Sequence, residues 1–187
     1  MAFSLHFYSM KISLLIGFIF LIAVPGTAQK EEVPRFEKVA VPECGCSVYM
    51  PKGSRAFDKA YSEDSSMIFT SDYTTNGGFV YAAIAVKFKT PIGNDKASNE
   101  ELLIAYLDFI KSQYGITASA GVGKGHELES NPNATGMIDY WEDADGNQYS
   151  VKGWIDGENL GVLLVYGKGE YPYFNAQQMF FEGFRFE

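Results

Sequence analysis

Cys44-Gly45-Cys46 is the place where residue type and spacing come closest to chemistry. A disulfide across a single intervening residue closes a very small ring, so it is expected to be strained and easily reduced, as in a redox-active pair. Gly45 supplies the backbone freedom that such a ring needs. Thioredoxin-like centres differ, with a two-residue spacer at a helix N-terminus, whereas here Pro42-Glu43 precedes the pair and a strand follows it. Two thiolates could also take a soft metal, Cu(I) or Zn(II), but the obvious recruits His126 and Met50 do not stand at ligand spacing. The spacing favours a structural or incidental pair, with thiol-disulfide or soft-metal handling through Cys44 and Cys46 as the alternative function. The sequence implies no cofactor and no resident metal site.

Three other motifs have blander explanations. Asp143-Ala144-Asp145-Gly146-Asn147 imitates the start of an EF-hand loop, but Gln148 sits where the invariant glycine belongs and Trp154 where the bidentate glutamate belongs. A hairpin turn accounts for it better. Gly121-Val122-Gly123-Lys124-Gly125 lacks the ending and context of a phosphate loop and reads as a turn. Asn133-Ala134-Thr135 fits a glycosylation sequon, which matters only in a eukaryotic secretory host.

These motifs sit behind an N-terminal leader. Lys11 precedes an apolar core of 13 residues from Ile12 to Val24, then come a Pro25-Gly26 break and small Gly26 and Ala28 at −3 and −1 of a cut before Gln29. Met10 opens the signal proper. The core is short for spanning a bilayer, which needs about 20 apolar residues, so a cleaved export signal over residues 1–28 is expected, with no membrane insertion afterwards. Neither cysteine is a lipid-attachment residue, since Cys44 lies 20 positions beyond Val24. The destination is periplasmic or extracellular, where a disulfide can persist.

Cleavage after Ala28 leaves 159 of 187 residues, a length suited to one domain. The leader carries one of the 15 basic residues and none of the 23 acidic ones, so the net charge of what remains is −9. That balance argues against nucleic acid and anionic membranes as partners. His126 is the one histidine left, so a histidine triad or a histidine-based relay is not expected.

Residues 29–46 read as a tether, with charged residues, Pro34 and Pro42 and little periodicity. The domain proper, 47–187, is expected to open with strands at Ser47–Met50, Met67–Thr70 and Phe79–Phe88, the last two joined by a hairpin at Asn76-Gly77-Gly78. Ser98 and Glu101 have capping-box spacing, so a helix starts there, with a stripe of Leu102, Leu103, Tyr106, Leu107 and Ile110, and ends at Gly115. Taking Asp145-Gly146 and Asp156-Gly157 as two-residue hairpin loops puts Tyr140 opposite Val151 and Val151 opposite Val162. Ile138, Tyr140, Tyr149, Val151, Ile155, Leu160, Val162, Leu164 and Tyr166 then share one face. Met137, Asp139, Trp141, Lys152, Trp154 and Leu163 fall on the other, mixed face. Of these, Trp141, Trp154, Met137, Asp139 and Lys152 form the candidate binding surface, since large aromatics beside a few polar groups make the usual core of a recognition patch. The competing expectation is that this face packs under a helix. A last helix runs from Pro172-Tyr173-Phe174-Asn175 to Glu182, and Gly183 ends it before Phe184-Arg185-Phe186.

Strands, helix, strands, helix is an α+β order with an antiparallel sheet of about six to eight strands. The layout resembles the PsbP-like fold group, which includes a photosystem extrinsic subunit, a Ran-binding nuclear transport factor and bacterial DcrB-like envelope proteins. The resemblance spans roughly residues 47–186. It rests on the opening strand running into Met50-Pro51-Lys52-Gly53, the capped middle helix, the meander from Gly136 to Tyr166, and the closing helix running into Phe184-Arg185-Phe186. Gly183 stands where many relatives carry Ser, and no Trp follows Pro51-Lys52-Gly53. The resemblance implies a single domain in α/β/α layers, a sheet flanked by helices, that serves as a non-catalytic binding or assembly module. An exported module of the bacterial envelope is therefore the expected function, with a protein or small molecule as partner.

Overall fold

The computed structural model describes residues 33–93 and 95–187. The leader expected at residues 1–28 lies outside the described residues. Among the described residues eleven strands and two helices follow in the order β1 (Phe36–Val41), β2 (Cys46–Pro51), β3 (Asp58–Tyr61), β4 (Met67–Thr74), β5 (Val80–Lys87), α1 (Lys96–Gln113), β6 (Ile116–Ser119), β7 (Gly123–Leu128), β8 (Asn131–Asp143), β9 (Asn147–Ile155), β10 (Asn159–Lys168), α2 (Phe174–Phe181) and β11 (Arg185–Phe186). Their strand pairings are all antiparallel, so the class is α+β. Eight strands make a large sheet ordered β3-β4-β5-β10-β9-β8-β6, with β7 also pairing to β8, and three make a small sheet ordered β1-β2-β11. Among the described residues no helix is long and apolar enough to cross a membrane.

Period-two side chains give the large sheet two buried faces. On one, Val86, Val151, Ile155, Leu160, Val162 and Leu164 pack under Leu103, Leu107 and Ile110 of α1. On the other, Phe69, Tyr81, Trp154, Leu163 and Val165 meet Cys46, Val48 and Met50 of the small sheet together with Phe180 and Phe181 of α2. The second cover is therefore a small sheet carrying one helix, where layers of helix alone were expected. Phe36–Val41, assigned to the tether because of its charges and the flanking Pro34 and Pro42, is the edge strand of that sheet and pairs with β2 along its whole length.

The register of the meander differs from the expected one, for a local reason. Glu142 pairs with Gln148, so the β8–β9 loop holds three residues, 144–146, not two. Gly146, at φ +76, supplies the left-handed residue that a three-residue hairpin needs. Asp143 closes the turn, accepting the N–H of Asp145 and of Asn147, each at 2.9 Å. One extra residue flips every β8 side chain relative to β9. Met137, Asp139 and Trp141 therefore share a face with Tyr149 and Val151, while Tyr140 turns outward and is exposed. The β9–β10 loop is longer than expected by two residues, with Ile155 opposite Leu160, and a shift of two leaves the faces unchanged.

The N-cap of α1 lies three residues before Ser98, the expected cap. The Asp95 carboxylate accepts from Ser98 N at 2.8 Å and from Ser98 Oγ at 2.6 Å, and so takes the N-cap position.

Candidate functional site

The five residues expected to form one recognition surface are split between the two faces. Trp141, Met137 and Asp139 lie on the α1 side, Trp154 and Lys152 on the small-sheet side, and all five are buried. The three-residue turn at Gly146 accounts for the split. Asp139 lies at the centre of its group, accepting from Ser119 Oγ at 2.8 Å and from Tyr140 N at 2.8 Å, and pairing with Lys111 Nζ at 3.0 Å. Burial alone would raise its pKa, but the nearby Trp141 indole, the Ser119 hydroxyl, the Lys111 ammonium and the Tyr140 N–H hold the carboxyl below its usual range. Lys152 pairs with Glu182 and lies over Trp154, its Nζ 5.3 Å from the ring centroid. Trp154 stacks on Phe184. These contacts make both groups part of the core, and neither is a free recognition surface.

Cys44 and Cys46 flank the end of the β1–β2 turn, and both are free thiols, 1% exposed. Their sulfurs are 2.7 Å apart, with Cys46 as donor. That hydrogen bond holds the Cys44 thiol below its ordinary value, with help from Lys87 and against the effect of burial, and it pushes Cys46 up. His126 belongs to β7, and Met50 is buried on β2. Among the described residues no group of three or more His, Cys, Asp or Glu is arranged to hold a metal ion. Asp143, the first position of the EF-like run, has its oxygens occupied by the turn, by Asn147 Nδ2 and by the Tyr149 hydroxyl. The Gly121–Gly125 run, expected as a turn, enters the edge strand β7 from Gly123 onward.

The arrangement that sequence reasoning missed is a cleft at the C-terminal end of α1. The helix packs chiefly against β6, β8 and β9. On the same side of the sheet, the β3–β4 region carries exposed Asp58, Ala60 and Thr70. Where the covered and open parts meet, a hollow of about 290 Å³ is lined by Arg55, Thr70, Asp72, Ile84, Tyr114 and Tyr166, among others.

Tyr166 is stacked on Tyr149 with centroids 4.6 Å apart and planes at 13°. Tyr114 stands edge-on to both, at 5.7 and 5.8 Å. Trp141 continues the row beyond Tyr149, at 6.4 Å. Arg55 lines the hollow and pairs with Asp58 at 2.9 Å and Asp72 at 3.1 Å. Burial raises both hollow-lining tyrosines, Tyr166 to about 12, and the Asp72 carboxylate pushes the same way. Both phenols therefore stay protonated at neutral pH and are available as donors. The hollow thus offers apolar ring faces, two hydroxyls, a carboxylate and a guanidinium, a combination that can orient a small ligand. A signal was there to read: Tyr149 and Tyr166 fall on the face read from the pattern, and Tyr114 immediately precedes the Gly115 helix stop. Compared with protein-family models and with curated proteins, the chain matches none of them.

Proposed function

We propose that this chain is an exported, non-catalytic binding or assembly module of a bacterial envelope, and that it holds its ligand in the cleft between α1 and the open part of the large sheet. The observation that carries this reading is the pair of protonated phenols, Tyr114 and Tyr166, set beside Asp72 in a hollow of about 290 Å³. A small cyclic molecule, or one side chain of a protein partner, fits such a space. The leader-like residues 11–28 support an exported module, and the antiparallel α+β class is the coarse part of what the PsbP-like resemblance implies.

Calorimetric titration with a panel of sugars and aromatic amino acids tests the reading. At least one member should bind, and Y166F should weaken it by about fivefold, the loss of one hydrogen bond. Equal affinity in Y114F, Y166F and the double variant would rule out the cleft.

A second reading, thiol-disulfide or soft-metal handling, is favoured by the 2.7 Å approach of Cys44 and Cys46. It requires the turn to open, because both thiols are buried.

A further inference from the structure

We propose that Cys44 and Cys46 are joined by a disulfide in the exported chain, and that this bond fixes the β1–β2 turn onto which the last strand, β11, pairs through its backbone. The inference rests on the export reading for its oxidising compartment, while the geometry stands independently of it. The two sulfurs, 2.7 Å apart, need to move by only about 0.7 Å to reach bonding distance. The turn that presents them is bent by two left-handed residues, Glu43 at φ +61 and Gly45 at φ +76. Positive φ is uncommon for a glutamate, and here it folds the turn back so that two side chains only one residue apart meet inside the protein.

What the bond would hold is visible in the pairing. Cys46 is the rung shared by all three strands of the small sheet, opposite Val41 on one side and Phe186 on the other. Glu187 N donates to Gly45 O at 2.8 Å, so the residue after β11 is fastened to the glycine between the cysteines. Both thiols lie in the apolar cluster with Val48, Met50, Phe181 and Phe184. An unlinked pair there buries two polarisable but weakly hydrogen-bonding groups, whereas the disulfide buries none that needs a partner.

The step balances by exchange with a donor disulfide, such as oxidised glutathione or a protein disulfide donor. Cys44 thiolate attacks one donor sulfur and expels a thiolate. Cys46, giving up its proton, then attacks the Cys44 sulfur and expels the second thiol. The pair loses two electrons and two protons, and the donor becomes two thiols. With both cysteines 1% exposed, this takes place before the turn closes in folding. Once formed, the bond is shielded, which separates a clamp from a pair that exchanges in service.

The test is alkylation with iodoacetamide in denaturant without reductant, read by mass spectrometry, on two samples: the chain as recovered from the cell, and the same chain reduced, unfolded and refolded with oxidised glutathione. The expected result is no adduct in either sample and a mass lighter by two hydrogens than the reduced chain. Treating the native protein with reduced glutathione should leave the bond intact, whereas the same treatment in denaturant should open it. Two adducts per chain after refolding with oxidised glutathione would overturn the disulfide. Rapid reduction of the native protein would overturn the clamp in favour of an exchanging pair. A chain retained inside the cell with two free thiols, yet forming the bond on refolding, would mean that the export reading had failed and the disulfide had not.

Discussion

Lys111 Nζ, near the end of α1, lies 3.0 Å from the buried carboxylate of Asp139 on β8 and sits over the Trp141 ring, 5.5 Å from its centroid. The pair fixes the helix over the aromatic row, because Tyr114, which lines the cleft, is only three residues further along the chain. Removing the carboxylate leaves a lysine without its buried partner among apolar groups. D139A should therefore cost about 3 kcal/mol in chemical unfolding, at the lower end for a broken buried pair because Lys111 keeps Asp108 at its solvent side. A loss under about 0.5 kcal/mol would place the pair among ordinary surface salt bridges.

Acid should unfold the protein through the same group. Asp139 and Asp143 are both held below the usual carboxylate range, Asp143 to about 2 by hydrogen bonds from Asn147, against some desolvation, and from Tyr149. A depressed carboxyl binds its proton more weakly folded than unfolded, so its contribution is complete above the unfolded pKa of about 4 and lost as pH falls through the folded value. Stability should be flat with respect to these two groups from about pH 5 to 7 and should fall between about pH 4 and 2. In D139N the fall should be shallower, measured as the pH dependence of the urea midpoint.

Phe184 lies flat on Trp154, with centroids 5.7 Å apart and planes at 1°, and directly over Gly161. A Cβ built on Gly161 would stand 2.3 Å from the Phe184 ring. The glycine is needed for space. G161A should cost about 2 kcal/mol, the range of core overpacking, and G161A with F184A should recover part of that loss in a double-mutant cycle. Additive losses would mean that the two residues do not meet.

How much of this was legible in the sequence follows from where each residue is buried. Strands β5, β9 and β10 are central and covered on both faces, so they read as long apolar runs, and Val151, Leu160, Val162 and Leu164 were readable as core from pattern alone. The edge strands were not. All four residues of β3 are exposed, and β1 mixes Glu37 and Lys38 with Val39 and Val41, so neither shows a clear period of two. The candidate patch failed on one residue, Gly146: Asp-Gly signals a hairpin without revealing whether its loop holds two residues or three, and that difference decides whether Trp141 and Trp154 share a face. The cleft was hidden for another reason. It gathers Arg55, Asp72, Tyr114 and Tyr166 from four separate stretches of chain, and no local spacing reports such a meeting.

The proposed export gives its own outcome. Chain recovered from outside the cytoplasm should begin at Gln29, measured by intact mass and peptide mapping. A recovered chain that retains residues 10–28 would contradict cleavage.

The central claim, that the hollow beside Tyr114 and Tyr166 is a ligand site, is tested most directly by NMR of protein with 13C-labelled tyrosine rings, titrated with the same panel of sugars and aromatic amino acids. The account predicts saturable shifts of the Tyr114 and Tyr166 ring signals with at least one compound, while exposed Tyr61 and Tyr140 stay in place. Shifts confined to Tyr61 or Tyr140, or no shift at Tyr114 and Tyr166 with any member of the panel, would contradict it.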